Sequence, residues 1–233
     1  MSQFRWSEES EKQWDEKSSN WNSKSRDMWD NGSRKDIAPF IANHVPAGST
    51  ICDLGCGDGF GSLKLVEQGY SVIGIDVSEE MISKAKETNA DNSAQFIKGD
   101  ITLLPFSDNS LDGVMAINSL EWTEHPLFVL KEVQRVVMPG GLACIGILGP
   151  TAAPRINSFP RLYGERVICN TMMPWEFEKL AKDNGWEKIA EFGVYKKGVD
   201  QLPTGSISTE LRQSLSFMWV FMLRNVKLEM EEL

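Results

Sequence analysis

Histidine is scarce in this chain. The two present among 233 residues, His44 and His125, are far apart and cannot assemble a zinc site of the usual kind. The four cysteines, at 52, 56, 144 and 169, have no regular spacing. A disulfide framework and a thiolate metal cluster are both unsupported, and no metal is expected. Cys52 and Cys144 lie inside apolar runs, as buried thiols of a cytoplasmic chain would. No run of five basic residues occurs, and 33 acids stand against 24 bases, a net charge of −9. That balance argues against nucleic acid as a partner, because indiscriminate binding rests on phosphate neutralisation. The apolar run "LSFMWVFML" (215–223) is too short to span a bilayer. The opening "MSQFRWSEESEKQ" has no apolar core of a secretory signal. No membrane partner is expected, and the expected compartment is the cytoplasm.

What is present divides into two regions. Residues 1–36 are polar yet carry Trp6, Trp14, Trp21 and Trp29. At 100° per residue these four fall within an arc of about 140° on one helix face. They predict an amphipathic segment packed on the domain, a candidate lid; "SSN" and "DNGS" predict two short helices rather than one rod. From residue 37 to the end, strand and helix patterns alternate. Strands are predicted at 50–55, 71–77, 94–100, 111–118 and 142–148, with helices at 37–45, 61–68, 78–87 and 125–138. Pro139-Gly140-Gly141 should stop the last of these helices and turn the chain. Residues 149–173 have little periodicity and are a candidate substrate-cover insertion. A helix at 174–185 and a strand at 186–195 follow. The 215–223 run is apolar at both parities, which suits a strand buried on both faces. This alternation predicts an α/β fold, doubly wound, with a mainly parallel sheet and helices on both faces.

The densest signal is "ICDLGCGDGFGS" (51–62), with glycines at 55, 57, 59 and 61 directly after an apolar strand. In an open parallel sheet, ligands sit beyond the carboxyl ends of the strands, so these glycines line that crevice. Asp53 ends the first strand, Asp76 the second and Asp100 the third. Asp76 can accept both hydroxyls of a ribose, and Asp100 with Ile101 suits the amino edge and face of an adenine. A dinucleotide would require G-x-G-x-x-G, yet the last position is Phe60 or Ser62 in the two frames. Asp53 would also face the pyrophosphate. Like charges about 4 Å apart cost roughly 1 kcal/mol in water and about 4 at an effective dielectric near 20. A ligand bearing an ammonium and a sulfonium reverses that sign, and S-adenosylmethionine is such a ligand.

"DLGCGDGFG", Asp76, "GD" at 99–100 and "LKEVQRVVMPGG" (130–141) resemble the class I S-adenosylmethionine-dependent methyltransferases. The likeness is greatest to the broad group that modifies small molecules, including the ubiquinone-type C-methylating enzymes. It covers about residues 48–148. The resemblance implies a seven-stranded Rossmann-like sheet whose last strand is antiparallel, with 215–223 as the candidate. It implies S-adenosyl-L-methionine as cofactor. Asp53, Gly55 and Gly57 would hold the methionine moiety, Asp76 the ribose, Val77 one side of the adenine, and Asp100 and Ile101 the adenine. Asn118 would lie near the transferred methyl. Many relatives carry a histidine after Leu-Glu in the segment matching "SLEW"; here Trp122 stands there, against histidine-based catalysis at that place.

Arg34, in "NGSRKD", is a candidate partner of the methionine carboxylate, or else a solvated arginine opening the next helix. Glu121, Glu124, His125 and Tyr163 are candidate bases if the acceptor must lose a proton, and no one of them is singled out. Arg155, Arg161 and Arg166 form either an anion-attracting cluster or a solvated loop. The reading is therefore a methyltransferase with a small-molecule acceptor. Protein or RNA methylation, a non-catalytic cofactor-binding module and a nicotinamide oxidoreductase are its alternatives.

Overall fold

The computed structural model describes residues 4–226; the ends of the two expected regions, 1–3 and 227–233, lie outside the described residues. The chain opens with α1 (Trp6–Asp30) and α2 (Ile37–Ala42). Then β1 (Thr50–Leu54), α3 (Phe60–Glu67), β2 (Ser71–Asp76), α4 (Glu79–Thr88), β3 (Gln95–Lys98) and β4 (Leu111–Ile117) alternate as predicted. After α5 (Pro126–Val136) come β5 (Val137–Leu148), a 3-10 helix (Ala153–Tyr163), α6 (Pro174–Asp183), β6 (Trp186–Tyr195), α7 (Thr209–Ser214) and β7 (Ser216–Asn225). The seven strands form one sheet in the order β3-β2-β1-β4-β5-β7-β6. The order reverses between β1 and β4, which opens a crevice beyond their carboxyl ends. β7 runs antiparallel to both β5 and β6. Phe221 and Trp219 are buried on one sheet face, with Val220 and Met222 buried on the other, so the apolar run at both parities is the two-faced strand expected.

Three points differ from the sequence expectation. α1 is one helix of 25 residues, unbroken at "SSN". Ser10, Ser18 and Ser25 are buried with Trp29 on its inner face, so small side chains let it lie close to the sheet domain. That packing outweighs the modest helix preference of serine. The helix is pinned by ion pairs from Glu11 to Lys98 at 2.7 Å and from Asp30 to Lys64 at 2.8 Å. Second, α5 ends at Val136 and β5 begins at once: Val137 pairs with Leu111 before the exposed residues Met138, Pro139 and Gly140, and the register then shifts. Third, β3 stops at Lys98, so Asp100 stands two residues past the strand end.

Candidate functional site

A cavity of about 350 Å³ opens at the carboxyl edge of β1, β2 and β4. Gly55, Gly57, Asp76, Val77, Asp100, Ile101 and Asn118 are all on its wall, together with Trp14, Trp21 and Trp122. Seven of the nine expected site residues are thus brought together by one cavity. Asp53 and Arg34 lie behind the wall, both buried.

The loop after β1 is shaped by hydrogen bonds to the neighbouring strand end. Asp76 accepts the Gly57 N–H at 2.9 Å on one carboxylate oxygen and the Ser78 N–H at 2.9 Å on the other. Gly57 has φ +55°, and a Cβ there would stand 3.2 Å from the Trp21 indole nitrogen. A Cβ on Gly61 would stand 2.4 Å from the Trp29 ring. Gly57 therefore admits α1 as well as facing the cavity, and Gly61 admits α1 alone, a use the glycine pattern does not reveal.

The carboxylates sit in a low-dielectric setting. Asp53 is pushed up to about 7, chiefly by burial and in part by Asp76, against the Ser62 hydroxyl at 2.7 Å and Arg34. Burial also lifts Asp76 to about 6 against its backbone hydrogen bonds, with Asp15 adding to the rise. Such acids favour a cationic ligand, whose charge would stabilise the ionised form. Arg34 is not the solvated arginine of the alternative reading. Its guanidinium lies 4.7 Å from the Trp21 ring and 5.8 Å from the Trp29 ring, and donates to Asn118 Oδ1 at 3.4 Å. Burial lowers it to about 10, opposed by Asp58, Asp53 and Glu121.

α1 closes one side. Trp14 meets Trp21 and Trp122 edge-on, with centroids 5.7 and 5.2 Å apart. Trp6 donates its indole N–H to the Trp122 carbonyl at 2.6 Å, and Trp122 donates its own to the Asn118 carbonyl at 2.8 Å. Trp122 is thus the dock for α1. Asn22 and Ser25 bind the loop carboxylate of Asp58 at 3.1 and 2.7 Å. Asp15 accepts the Ser78 hydroxyl at 2.5 Å, at the start of α4.

The remaining candidates separate cleanly. Glu124 and His125 line the cavity. Tyr163 is exposed and off the cavity wall. Glu121 is fully buried off the wall, accepting the Leu148 N–H at 2.5 Å, and burial raises its pKa. Arg155 is no anion-attracting residue: it is buried and donates to the carbonyls of Leu148, Gly149 and Met172. None of residues 149–173 lines the cavity; the segment touches α1 through Asn157, which accepts from Lys17 at 3.1 Å. Ser119, missed in the sequence, lines the cavity with a buried hydroxyl that has no partner among the described residues. Among the described residues there is no cluster of three metal-ligating side chains and no helix long and apolar enough to cross a membrane.

Residues 52–145 match the family described as "Methyltransferase domain". The demethylmenaquinone methyltransferase of Lactococcus lactis is 31% identical over 204 residues, 84% of this chain and 74% of that one. The biotin biosynthesis bifunctional protein BioHC of Teredinibacter turnerae is 29% identical over 155 residues. That match takes in 61% of this chain but only 27% of the longer protein. A SAM-dependent methyltransferase structure from Methanosarcina mazei superimposes with a TM-score of 0.63 at 22% identity, covering 81% of this chain and 97% of that one. The match to the Lactococcus protein takes in far more of the chain than residues 52–145. The chain belongs to the class I S-adenosylmethionine-dependent methyltransferase family.

Proposed function

We propose that this protein transfers a methyl group from S-adenosyl-L-methionine to a small-molecule acceptor. The observation that carries this reading is the cavity itself: about 350 Å³, walled by the glycine loop and two strand-end acids, and closed on one side by tryptophans of a helix. That volume is at the lower end for a small-molecule site, and a pocket roofed by a helix suits a metabolite better than a folded macromolecule. The residues fit the cofactor. Asp76, Asp100 and Glu124 are on the cavity wall with no Lys or Arg, which favours a positively charged ligand, and the unpartnered Ser119 hydroxyl offers a polar contact.

In this reading Asp76 holds the ribose, Val77, Asp100 and Ile101 the adenine, and Gly55 and Gly57 the methionine moiety. Asp53 and Arg34 act from behind the loop, and Asn118 stands at the methyl end. Bound, the cofactor supplies an electrophilic methyl on a sulfonium. The chain's own contribution is alignment and exclusion of water by Trp14, Trp21 and Trp122; positioning of this kind is worth effective molarities of about 10⁵–10⁸ M. Glu124 and His125 are the groups on the wall able to take a proton from the acceptor. The Lactococcus relative's name points to a quinone-type acceptor, and four buried free cysteines support the cytoplasm as the compartment.

The test incubates the enzyme with methyl-labelled cofactor and, separately, a metabolite extract, total RNA, and protein extracts. Label is expected in the metabolite fraction. Label chiefly in RNA or polypeptide contradicts the acceptor class, and no transfer at all despite cofactor binding contradicts the activity.

A further inference from the structure

The 3-10 helix at Ala153–Tyr163 has its polarity reversed. A 3-10 helix has about three residues per turn, so side chains three apart lie in one row. The inward row holds Ala152, Arg155 and Ser158, all buried. Arg155 is spent on backbone carbonyls, and the Ser158 hydroxyl donates to the Arg155 carbonyl at 2.8 Å. The outward row is Ile156, Phe159 and Leu162, which are 75%, 50% and 66% exposed. Polar groups face the protein and apolar groups face out, the opposite of a surface helix in water.

The row is part of a larger apolar edge. Leu103 follows β3, Phe128 follows β4, Tyr163 follows β5, and Leu211 lies on α7, which leads into the antiparallel β7. All four are more than half exposed, and all lie in connections at the same edge of the sheet, the edge where the cavity opens. Among the described residues, every large apolar side chain at least half exposed is on this edge. Arg161, Arg166 and Lys197 are exposed there too, with Glu165 beside the row and Glu124 and Glu210 farther along the edge.

We propose that this edge docks the protein on the surface of a lipid bilayer. The Ile156–Phe159–Leu162 row would enter the boundary between headgroups and acyl chains, with Arg161 and Arg166 beside anionic headgroups. No membrane-spanning helix is needed for such contact, so the short apolar runs of the sequence do not bear on it. A second copy of the chain is the poorer occupant. A stable protein interface takes about 20–30 residues a side, whereas the whole edge presents seven described apolar side chains at least half exposed. A bilayer accepts a thin, linear apolar ridge flanked by cations. Docked this way, the cavity mouth faces the lipid, from which an apolar acceptor could enter. The docking itself does not depend on the methyl-transfer reading.

The experiment is flotation of the full-length protein with vesicles of phosphatidylcholine alone and of phosphatidylcholine with about one quarter phosphatidylglycerol. The protein should float with the mixed vesicles, and Ile156→Glu/Leu162→Glu should lower the floated fraction about tenfold or more. Cofactor affinity should stay unchanged, since neither residue is on the cavity wall. Arg161→Glu should remove only the part that depends on phosphatidylglycerol. If the double variant misfolds, Phe159→Cys carrying an environment-sensitive dye replaces it; the four native thiols are buried. Its emission should shift blue on vesicles. Wild-type protein that stays unfloated with both vesicles overturns the proposal, as does an unshifted dye. So does a folded double variant that floats like wild type, or a dimer that the double substitution splits.

Discussion

Asp76 and Gly57 are 19 residues apart in sequence and joined by one hydrogen bond, the Gly57 N–H donating to Asp76 Oδ2 at 2.9 Å. The acid at the end of β2 therefore shapes the glycine loop at the end of β1 before any ligand arrives. In the proposed site the same carboxylate also takes the ribose. Asp76→Ala should weaken cofactor binding by roughly 1.5–3 kcal/mol, the scale of a charge-assisted hydrogen bond. Calorimetry on the folded variant checks it, and an unchanged dissociation constant would move the ribose elsewhere.

Gly61 and Trp29 make the second such relationship. A methyl at Gly61 meets the Trp29 ring at 2.4 Å, and neither the ring nor the helix start can yield cheaply. Gly61→Ala should cost about 1–3 kcal/mol of stability by overpacking. Adding Trp29→Ala should make the Gly61→Ala substitution nearly free, which a double-mutant cycle in denaturant measures.

Stability should depend on pH in a particular sense. Asp53 and Asp76 have folded pKa values of about 7 and about 6, above the ordinary carboxylate range. From about pH 4 to about pH 7 the folded protein keeps protons that the unfolded chain has released, so the contribution of these groups to stability falls as pH rises. Asp53→Asn should flatten that fall. Apoprotein melting temperatures taken between pH 5 and pH 8 should show the flatter slope in the variant. A wild type and variant with parallel slopes would contradict the assignment to Asp53.

Arg34 is buried between two indoles and stabilised by acids behind the loop. Arg34→Met keeps much of the stem but leaves Asp53 and Asp58 without their buried cation. The variant should be destabilised more at pH 8, where Asp53 is ionised with no buried cation near it, than at pH 5, where it is protonated. Its pH slope should steepen, because Asp53 loses a neighbour that lowers its pKa. Chemical denaturation at pH 5 and pH 8 reads both effects.

The strands were legible because each is a short apolar run bounded by glycine or a turn, and β7 because its two parities are both apolar. The cavity wall was legible because the glycines and the acids of β1 to β3 share one sheet edge. What escaped depends on contacts between distant segments. Ser18, in "SSN", read as part of a helix break, yet it is buried on the inner face of α1; Ser25 on the same face donates to Asp58, 33 residues away. Arg155 read as a surface cation, yet its partners are carbonyls at 148, 149 and 172. Arg34 is polar in a polar stretch, and only the stacking of Trp21 and Trp29 reveals its burial. Ser119 carries no local signal at all; its orphaned hydroxyl is visible only in the folded wall.

The central claim is that the acid-lined cavity takes S-adenosylmethionine. Titration calorimetry of the purified full-length protein with S-adenosylmethionine, S-adenosylhomocysteine and NAD tests it most directly. The account predicts saturable binding of the first two, weakened by Asp76→Ala, and no binding of NAD. Tight NAD binding without adenosylmethionine binding would contradict it.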